Sequence, residues 1–244
     1  MNASQQVDAL CVGAHPDDVE VGIGGLVRKM VLAGYRVGIL DLTRGEMASR
    51  GTVESRAGES AEAARILGVS RRENAGLPDG GLTNSTEFQK TLIPLLRSFR
   101  ARVLFIPDAY DRHPDHGAAH DLVRDANYLA GLSKIEGDEP HRAATVYCYR
   151  VYRDPDRPSL VIDVSETFDD KMAALRAYRT QFFNPEYAGT ATYVSSEAFW
   201  TFIHTRALYW GNQIGVTYGE PLYTREPIRA ALPPGLEGSP CESA

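Results

Sequence analysis

The stretch from residue 7 to residue 26, VDALCVGAHPDDVEVGIGGL, decides the fold of this chain. Its first half is a short apolar run that predicts a buried strand, and its second half places apolar residues at helical spacing. Between the two lies His-Pro-Asp-Asp at residues 15–18. A strand that passes directly into a helix is typical of a parallel α/β sheet. Polar residues at such a turn lie at the carboxyl edge of the sheet, where these folds bind ligands.

The same alternation continues along the chain. Further strands are predicted over 36–42, 102–107, 145–150 and 160–164, with a weaker candidate at 73–77. Helical patterns lie between them, at 52–68, 86–100, 115–132, 166–181 and 195–212. Thr52 is a good N-cap, and Gly68 can end the same helix in a left-handed conformation. We predict an α/β fold with a Rossmann-like, mostly parallel sheet flanked by helices on both faces.

One domain over residues 1–226 is expected, because 244 residues suffice for a single large core. The Pro- and Gly-rich tail over 227–244 is predicted to be loose or to wrap a partner subunit. A homo-oligomer is also expected.

The bulk composition excludes several classes of function. A formal charge of −6 without a basic cluster argues against nucleic acid as a partner. No apolar run approaches the roughly 18 residues that span a bilayer, so no membrane partner is expected. The N-terminus lacks the features of a secretion signal. Three widely spaced cysteines (Cys11, Cys148 and Cys241) are expected to be reduced, which favours the cytoplasm.

Glycines surround the first turn, at positions 13, 22, 24 and 25. They invite a dinucleotide-binding interpretation, but their spacing does not match G-x-G-x-x-G. Asp17 and Asp18 stand where phosphate-cradling glycines belong and would repel a pyrophosphate. We favour the alternative that small residues let the helix lie close to the sheet.

A second polar cluster, His-Pro-Asp-His at residues 113–116, follows the apolar run at 103–107. Both clusters are expected at the same sheet edge, where they resemble a metal site with a base and an acid beside it. Catalytic zinc takes three protein ligands and keeps one position open. Either the pair His15 and Asp18 or the pair His113 and His116 has a spacing that allows metal binding. The residues left over would supply the carboxylate base and the imidazole acid.

Several motifs together resemble the zinc-dependent deacetylases of the PIG-L/LmbE family. The likeness runs from about residue 7 to 220 and rests on AHPDDVE at 14–20, DLTRGE at 41–46, RGT at 50–52, LPD at 77–79, DRHPDHG at 111–117 and GVTYGE at 215–220. DRHPDHG and VIDVS at 161–165 are most similar to the bacillithiol-biosynthesis deacetylases, which act on N-acetylglucosaminyl malate. The resemblance implies an LmbE-like deacetylase fold and a small N-acetylated sugar as the substrate.

The resemblance also implies roles for individual residues in a zinc-dependent amidohydrolase. One zinc ion per chain would be bound by His15, Asp18 and His116. Asp17 would be the general base toward water, and a protonated His113 would stabilise the oxyanion. Asp115 would hydrogen-bond His113 and raise its pKa. The remaining assignments are substrate contacts, made by Arg56 and Tyr193.

Three alternatives stay open at this point. The enzyme could deacetylate another N-acetyl amino-sugar conjugate. It could use the metal to cleave a phosphoester or a deoxynucleoside, although no basic cluster accompanies the acidic residues. Finally, it could be a non-catalytic metal- or sugar-binding module, but Asp17 would then have no use.

Overall fold

Five parallel strands form the central sheet in a computed structural model that describes residues 6–154 and 157–228. The strand order is β3-β2-β1-β4-β5, and each neighbouring pair is parallel. The strands are β1 (Ala9–Gly13), β2 (Val37–Thr43), β3 (Arg71–Leu77), β4 (Val103–Pro107) and β5 (Thr145–Tyr149). The predicted parallel sheet is confirmed, with the weaker candidate as the edge strand β3.

Helices cover both faces of this sheet, as predicted. They are α1 (Asp18–Leu32), α2 (Val53–Leu67), α3 (Thr86–Phe99), α4 (Pro114–Ala130), α5 (Phe168–Ala177) and α6 (Glu197–Gln213). Side chains of β1 alternate between two core clusters, one shared with α1, α2, α5 and α6 and the other with α3 and α4. The predicted caps of α2 are confirmed: Thr52 accepts the Ser55 backbone N–H, and Gly68 has φ +78°.

The last predicted strand, 160–164, lies outside the central sheet. It forms β6 (Leu160–Asp163), which pairs antiparallel with β7 (Gly219–Leu222). Glu220 of β7 accepts hydrogen bonds from the backbone N–H groups of Gly25 (3.0 Å) and Leu26 (2.7 Å). These donors follow a break in α1 at Ile23, where φ is −141°. The two-stranded sheet thus caps the second half of α1, a long-range contact that local patterning does not predict.

The glycines of α1 allow close packing, as expected from the sequence. A Cβ atom added at Gly22 would overlap the ring of Tyr149, and one at Gly25 would lie 2.9 Å from Val164 Cβ. Tyr149 in turn donates its hydroxyl to the carbonyl of Val12 in β1 (2.8 Å). The small residues therefore serve helix packing.

The remaining expectations are met in part. Cys11 and Cys148 are buried and free, as predicted, whereas Cys241 and the tail from residue 229 lie outside the described residues. Across 6–154 and 157–228, no helix is long and apolar enough to cross a membrane. The helix predicted over 166–181 ends earlier, at Ala177, which places Gln181 in a turn near the sheet edge.

Candidate active site

The two polar clusters meet at the carboxyl edge of the sheet, because β1 and β4 are parallel neighbours. The ring centroids of His15 and His113 lie 4.8 Å apart, and those of His113 and His116 lie 5.0 Å apart. His15 and His116 are 5.6 Å apart. The structure thus brings together the residues that the sequence predicts for one site.

Asp18 lies between two imidazole rings. Its Oδ2 is 3.4 Å from His15 Nδ1, and its Oδ1 is 3.2 Å from His116 Nε2. The backbone N–H of His15 also donates to Oδ2 (2.8 Å), which fixes the carboxylate at the start of α1. His116 Nε2 is buried and makes no hydrogen bond within the described part of the chain. Two ring nitrogens and a carboxylate therefore converge on one small volume.

The opposite nitrogen of each ring is held by carboxylates. His116 Nδ1 is 3.0 Å from Asp111 Oδ2, and His15 Nε2 is 3.1 Å from both Asp115 Oδ2 and Asp79 Oδ1. Such contacts place the ring protons on these nitrogens and leave the other nitrogens as lone pairs, as is usual for metal-binding histidines. No role for Asp79 or Asp111 is predicted from the sequence, although both lie in the motifs at 77–79 and 111–117 that follow strands.

His113 is a second possible donor, since nitrogens of His15, His113 and His116 lie within 4.8 Å of one another. However, Nδ1 of His113 accepts the backbone N–H of Asp115 (3.2 Å) at the start of α4. In the neutral ring, the proton is then on Nε2, which cannot bind a metal ion. This tautomer of His113 leaves His15, Asp18 and His116 as the favoured donor set, and two imidazole nitrogens with one carboxylate suit a divalent metal ion.

The expected hydrogen bond between the Asp115 carboxylate and His113 is wrong, and the expected effect of Asp115 on the pKa of His113 is outweighed by other groups. The carboxylate of Asp115 contacts His15 Nε2 and accepts a hydrogen bond from the Gly80 backbone N–H (2.8 Å). It is the backbone N–H of Asp115 that contacts His113. The pKa of His113 is lowered rather than raised, first by burial and then by the neighbouring His116 and His15. The negative charge of Asp115 acts to raise the pKa of His113, as expected, but burial and the two neighbouring imidazoles outweigh it.

The charges around the donor set favour a cation. Burial acts to lower the pKa of His15, but Asp18 and its other carboxylate partners raise it to about 12. Burial likewise acts against protonation of His116, and Asp18 and Asp111 raise its pKa to about 9. Carboxylates that stabilise a positive ring in this way also stabilise a bound metal cation.

Asp17 has a left-handed backbone with φ 117° and is held by Arg56. Arg56 Nη2 donates to Asp17 Oδ2 (2.7 Å), while Nε and Nη2 donate to the carbonyl of Pro16 (3.0 and 2.6 Å). Arg56 Nη1 donates to Gln181 Oε1 (2.6 Å). Burial raises the pKa of Asp17 to about 7, although Arg56 opposes the shift. Gln181 is not predicted from the sequence, because no local motif marks it.

A cleft of about 200 Å³ opens over this site. Tyr152 lines it and stacks on His116, with ring centroids 5.8 Å apart and planes 7° apart. Tyr193 is 48% exposed and packs edge-on against Phe199 (5.3 Å), beside residues that line the cleft. The cleft also contains predicted site residues, namely His15, Asp17, Asp18, Arg56 and His113. A further arginine, Arg142, does not line this cleft and lies over the ring of Tyr128.

The chain is similar in sequence to known deacetylases. The profile of the PIG-L family, described as GlcNAc-PI de-N-acetylase, matches residues 10–127. A diacetylchitobiose deacetylase from Thermococcus kodakarensis is 30% identical over 227 residues, which cover 86% of this chain and 80% of the relative. A 1D-myo-inositol 2-acetamido-2-deoxy-α-D-glucopyranoside deacetylase from Streptomyces griseus is 30% identical over 178 residues, 59% of this chain and 56% of the relative.

A solved structure of a conserved protein from Thermus thermophilus has a TM-score of 0.84 at 41% identity. The match covers 93% of this chain and 98% of that protein. The fold, the converging histidines and carboxylates, and the extent of these matches agree with one another. This chain therefore belongs to the PIG-L family of deacetylases, which are amidohydrolases, and has the LmbE-like fold that its motifs predicted.

Proposed function

We propose that this enzyme removes the N-acetyl group from an N-acetylglucosamine conjugate, with one zinc ion per chain bound by His15, Asp18 and His116. The observation that carries the proposal is the position of Asp18 between His15 Nδ1 and His116 Nε2. The named substrates of the two relatives, both acetylated glucosamine compounds, support this substrate class.

Two nitrogens and one carboxylate are a usual ligand set for catalytic zinc. A metal ion bound there supplies Lewis-acid polarisation of the amide carbonyl and lowers the pKa of water. Asp79, Asp111 and Asp115 orient the imidazoles, and their charge favours binding of the cation.

Asp17 is the proposed general base. One carboxylate oxygen is held by Arg56, and the residue lines the cleft beside Asp18. Asp17 accepts a proton from the attacking water and later delivers it to the departing amine, so that acetate and a free amine are released. This proton transfer requires only one titrating carboxylate.

His113 stabilises the charge that develops on the amide oxygen. Because the Asp115 N–H occupies its Nδ1, the neutral ring presents Nε2–H as a donor. This role replaces the protonated His113 expected from the sequence, since the pKa of His113 is lowered. Asp115 acts as a positioning residue for both His113 and His15.

Arg56 and Tyr193 are the proposed substrate contacts. A guanidinium has five N–H donors, and four bonds to Pro16, Asp17 and Gln181 leave Arg56 one free N–H within the described chain. A single N–H can donate to a sugar hydroxyl but cannot form a bidentate hydrogen bond with a carboxylate. Thr192 and Val194, on either side of Tyr193, line the cleft, and Tyr193 is proposed to contact the part of the substrate beyond the sugar.

For the aglycone, we propose malate, as in bacillithiol biosynthesis, in a cytoplasmic enzyme that forms a homo-oligomer. This finer assignment rests on the motifs at 111–117 and 161–165. Diacetylchitobiose and the inositol conjugate are the alternatives suggested by the relatives.

The test is a substrate panel with zinc-loaded enzyme and release of free amine as the readout. N-acetylglucosaminyl malate, diacetylchitobiose and the inositol N-acetylglucosaminide are compared by kcat/KM. Highest activity on the malate conjugate is expected. A clear preference for a neutral conjugate would exclude malate but retain the deacetylase. No amine from any member would contradict the amino-sugar substrate class.

A further inference from the structure

We propose that Arg112 binds an anionic, carboxylate-bearing group on the aglycone and thereby determines substrate specificity. The proposal rests on the deacetylase function proposed above, and it assigns the anion to a residue other than Arg56. Arg112 lies in the loop between β4 and α4, immediately before His113.

The guanidinium of Arg112 is positioned by two tyrosine rings. Its central carbon is 4.7 Å from the ring centroid of Tyr152 and 5.5 Å from that of Tyr193. Tyr152 lines the cleft and stacks on His116, so Arg112 is separated from a candidate metal ligand by about one ring. Thr192 and Val194, the neighbours of Tyr193, also line the cleft. Arg112 therefore stands at the rim, where the substrate continues beyond its acetylated sugar.

The arginines that line the cleft itself are already engaged. Arg50 donates Nε to the carbonyl of Thr180 (2.6 Å) and Nη1 to that of Thr190 (2.8 Å). Arg56 retains a single free N–H, as described above. In contrast, the exposed Arg112 side chain makes no ion pair or hydrogen bond to any residue in 6–154 or 157–228. Its charge is thus uncompensated at the mouth of the cleft.

This arrangement suits a carboxylate. Contacts with aromatic rings use the face of a guanidinium and leave its N–H edge available for a two-pronged hydrogen bond. The floor of the site carries the carboxylates of Asp17, Asp18, Asp79 and Asp115, which repel an anionic substrate. A cation at the rim offsets this repulsion where the aglycone lies and leaves the neutral sugar over the floor.

The test compares wild type, Arg112→Ala and Arg112→Lys on N-acetylglucosaminyl malate and on neutral methyl N-acetylglucosaminide. Arg112→Ala is expected to raise KM for the malate conjugate about 10–100-fold, the usual effect of losing a charge-assisted hydrogen bond, and to change KM for the neutral substrate less than about twofold. Arg112→Lys should give an intermediate KM for the malate conjugate, since lysine keeps the positive charge but cannot form the paired hydrogen bonds of a guanidinium. Arg142→Ala, which removes another arginine stacked on a tyrosine, is the matched control and should affect neither substrate.

Binding of the amine products, glucosaminyl malate and methyl glucosaminide, is measured by calorimetry to examine the subsite without turnover. Arg112-dependent binding of the malate compound without turnover would support the subsite and contradict only the deacetylase function. Equal effects of Arg112→Ala on both compounds, or no effect on either, would overturn the role of Arg112. If Arg112→Ala fails to fold, salt titration of wild type decides: added salt should weaken malate binding alone, and equal salt effects on both compounds would overturn the proposal.

Discussion

Asp17 and Asp18 are adjacent in sequence, but their environments give them different chemistry. Asp18 begins α1 and contacts His15 and His116, whereas Asp17 adopts a left-handed backbone and contacts Arg56. A non-glycine residue in such a conformation costs roughly 1–3 kcal/mol, and strain of this size is typical of functional sites. The turn therefore directs one carboxylate to the donor set and the other to the cleft.

Substitutions at these two positions separate the roles. Asp17→Asn should retain zinc but lower kcat by about 10²–10⁴, because an amide cannot accept the proton of water. Asp18→Asn should instead weaken zinc binding, since a charged donor is lost. Zinc content by atomic absorption and steady-state kinetics check both. Exchanged phenotypes would show that the two carboxylates have been assigned the wrong way round.

Asp111 is predicted to tune metal affinity without contacting substrate. Its buried carboxylate holds His116 Nδ1, so Asp111→Asn should weaken zinc binding by about 10–100-fold. Competition with a chromogenic chelator measures this affinity. Asp121→Asn, an exposed carboxylate on α4, is the control and should leave it unchanged. Unaltered affinity in Asp111→Asn would contradict the orienting role.

At the scale of elements, the close approach of α1 to β5 is set by Gly22. Gly22→Ala should destabilise the protein by about 1–3 kcal/mol, because the methyl group would overlap the Tyr149 ring. Gly58→Ala in the exposed middle of α2 is the matched control: nothing lies within 4 Å of the added Cβ, and a gain of about 0.5–1 kcal/mol is expected. Urea denaturation measures both free energies. A stable Gly22→Ala variant would show that α1 can move away from the sheet.

An ion pair between Arg206 and Asp154 links α6 to the segment after β5. Asp154 accepts hydrogen bonds from Arg206 (2.5 and 2.9 Å), Trp210 (2.9 Å) and Tyr223 (2.8 Å). Burial acts to raise the pKa of Asp154, but Arg206 and the other donors outweigh it and lower the pKa. A lowered folded-state pKa stabilises the fold at neutral pH. This stabilisation is lost as the pH falls below the unfolded value of about 3.9 toward the folded one.

Asp154→Asn should therefore lower the free energy of unfolding by about 3–5 kcal/mol at pH 7, as expected for breaking a buried ion pair. The difference from wild type should shrink as the pH falls below about 4. Urea unfolding of both proteins from pH 7 to pH 3 provides the measurement. A difference that does not depend on pH would mean that lost packing, and not charge, causes the effect.

For the whole molecule, the candidate metal site and the hydrophobic core are separate. The donor set lies at the sheet edge, while two hydrophobic clusters fill both faces of the sheet. A domain of this size does not require a metal ion for its core. Chelation should therefore abolish deacetylation and leave the circular dichroism spectrum and cooperative unfolding intact, with activity restored by roughly one zinc ion per chain. Loss of the folded state on chelation would contradict this separation.

The amino-acid sequence by itself determined the α/β alternation, the caps of α2 and the meeting of residues 15–18 with residues 113–116. These follow from local periodicity and from one geometric rule, since parallel strands place their carboxyl ends at the same edge. The packing role of the glycines in α1 could also be predicted, because a helix that lies close to a sheet requires small residues at the contact.

Only the tertiary structure decided which groups surround the site. The contacts of Asp79, Asp111 and Gln181, and the pairing of β6 with β7, join segments far apart in sequence. The pKa of His113 was predicted in the wrong direction for the same reason. Burial and neighbouring charges are sums over the whole fold, and no local motif contains them.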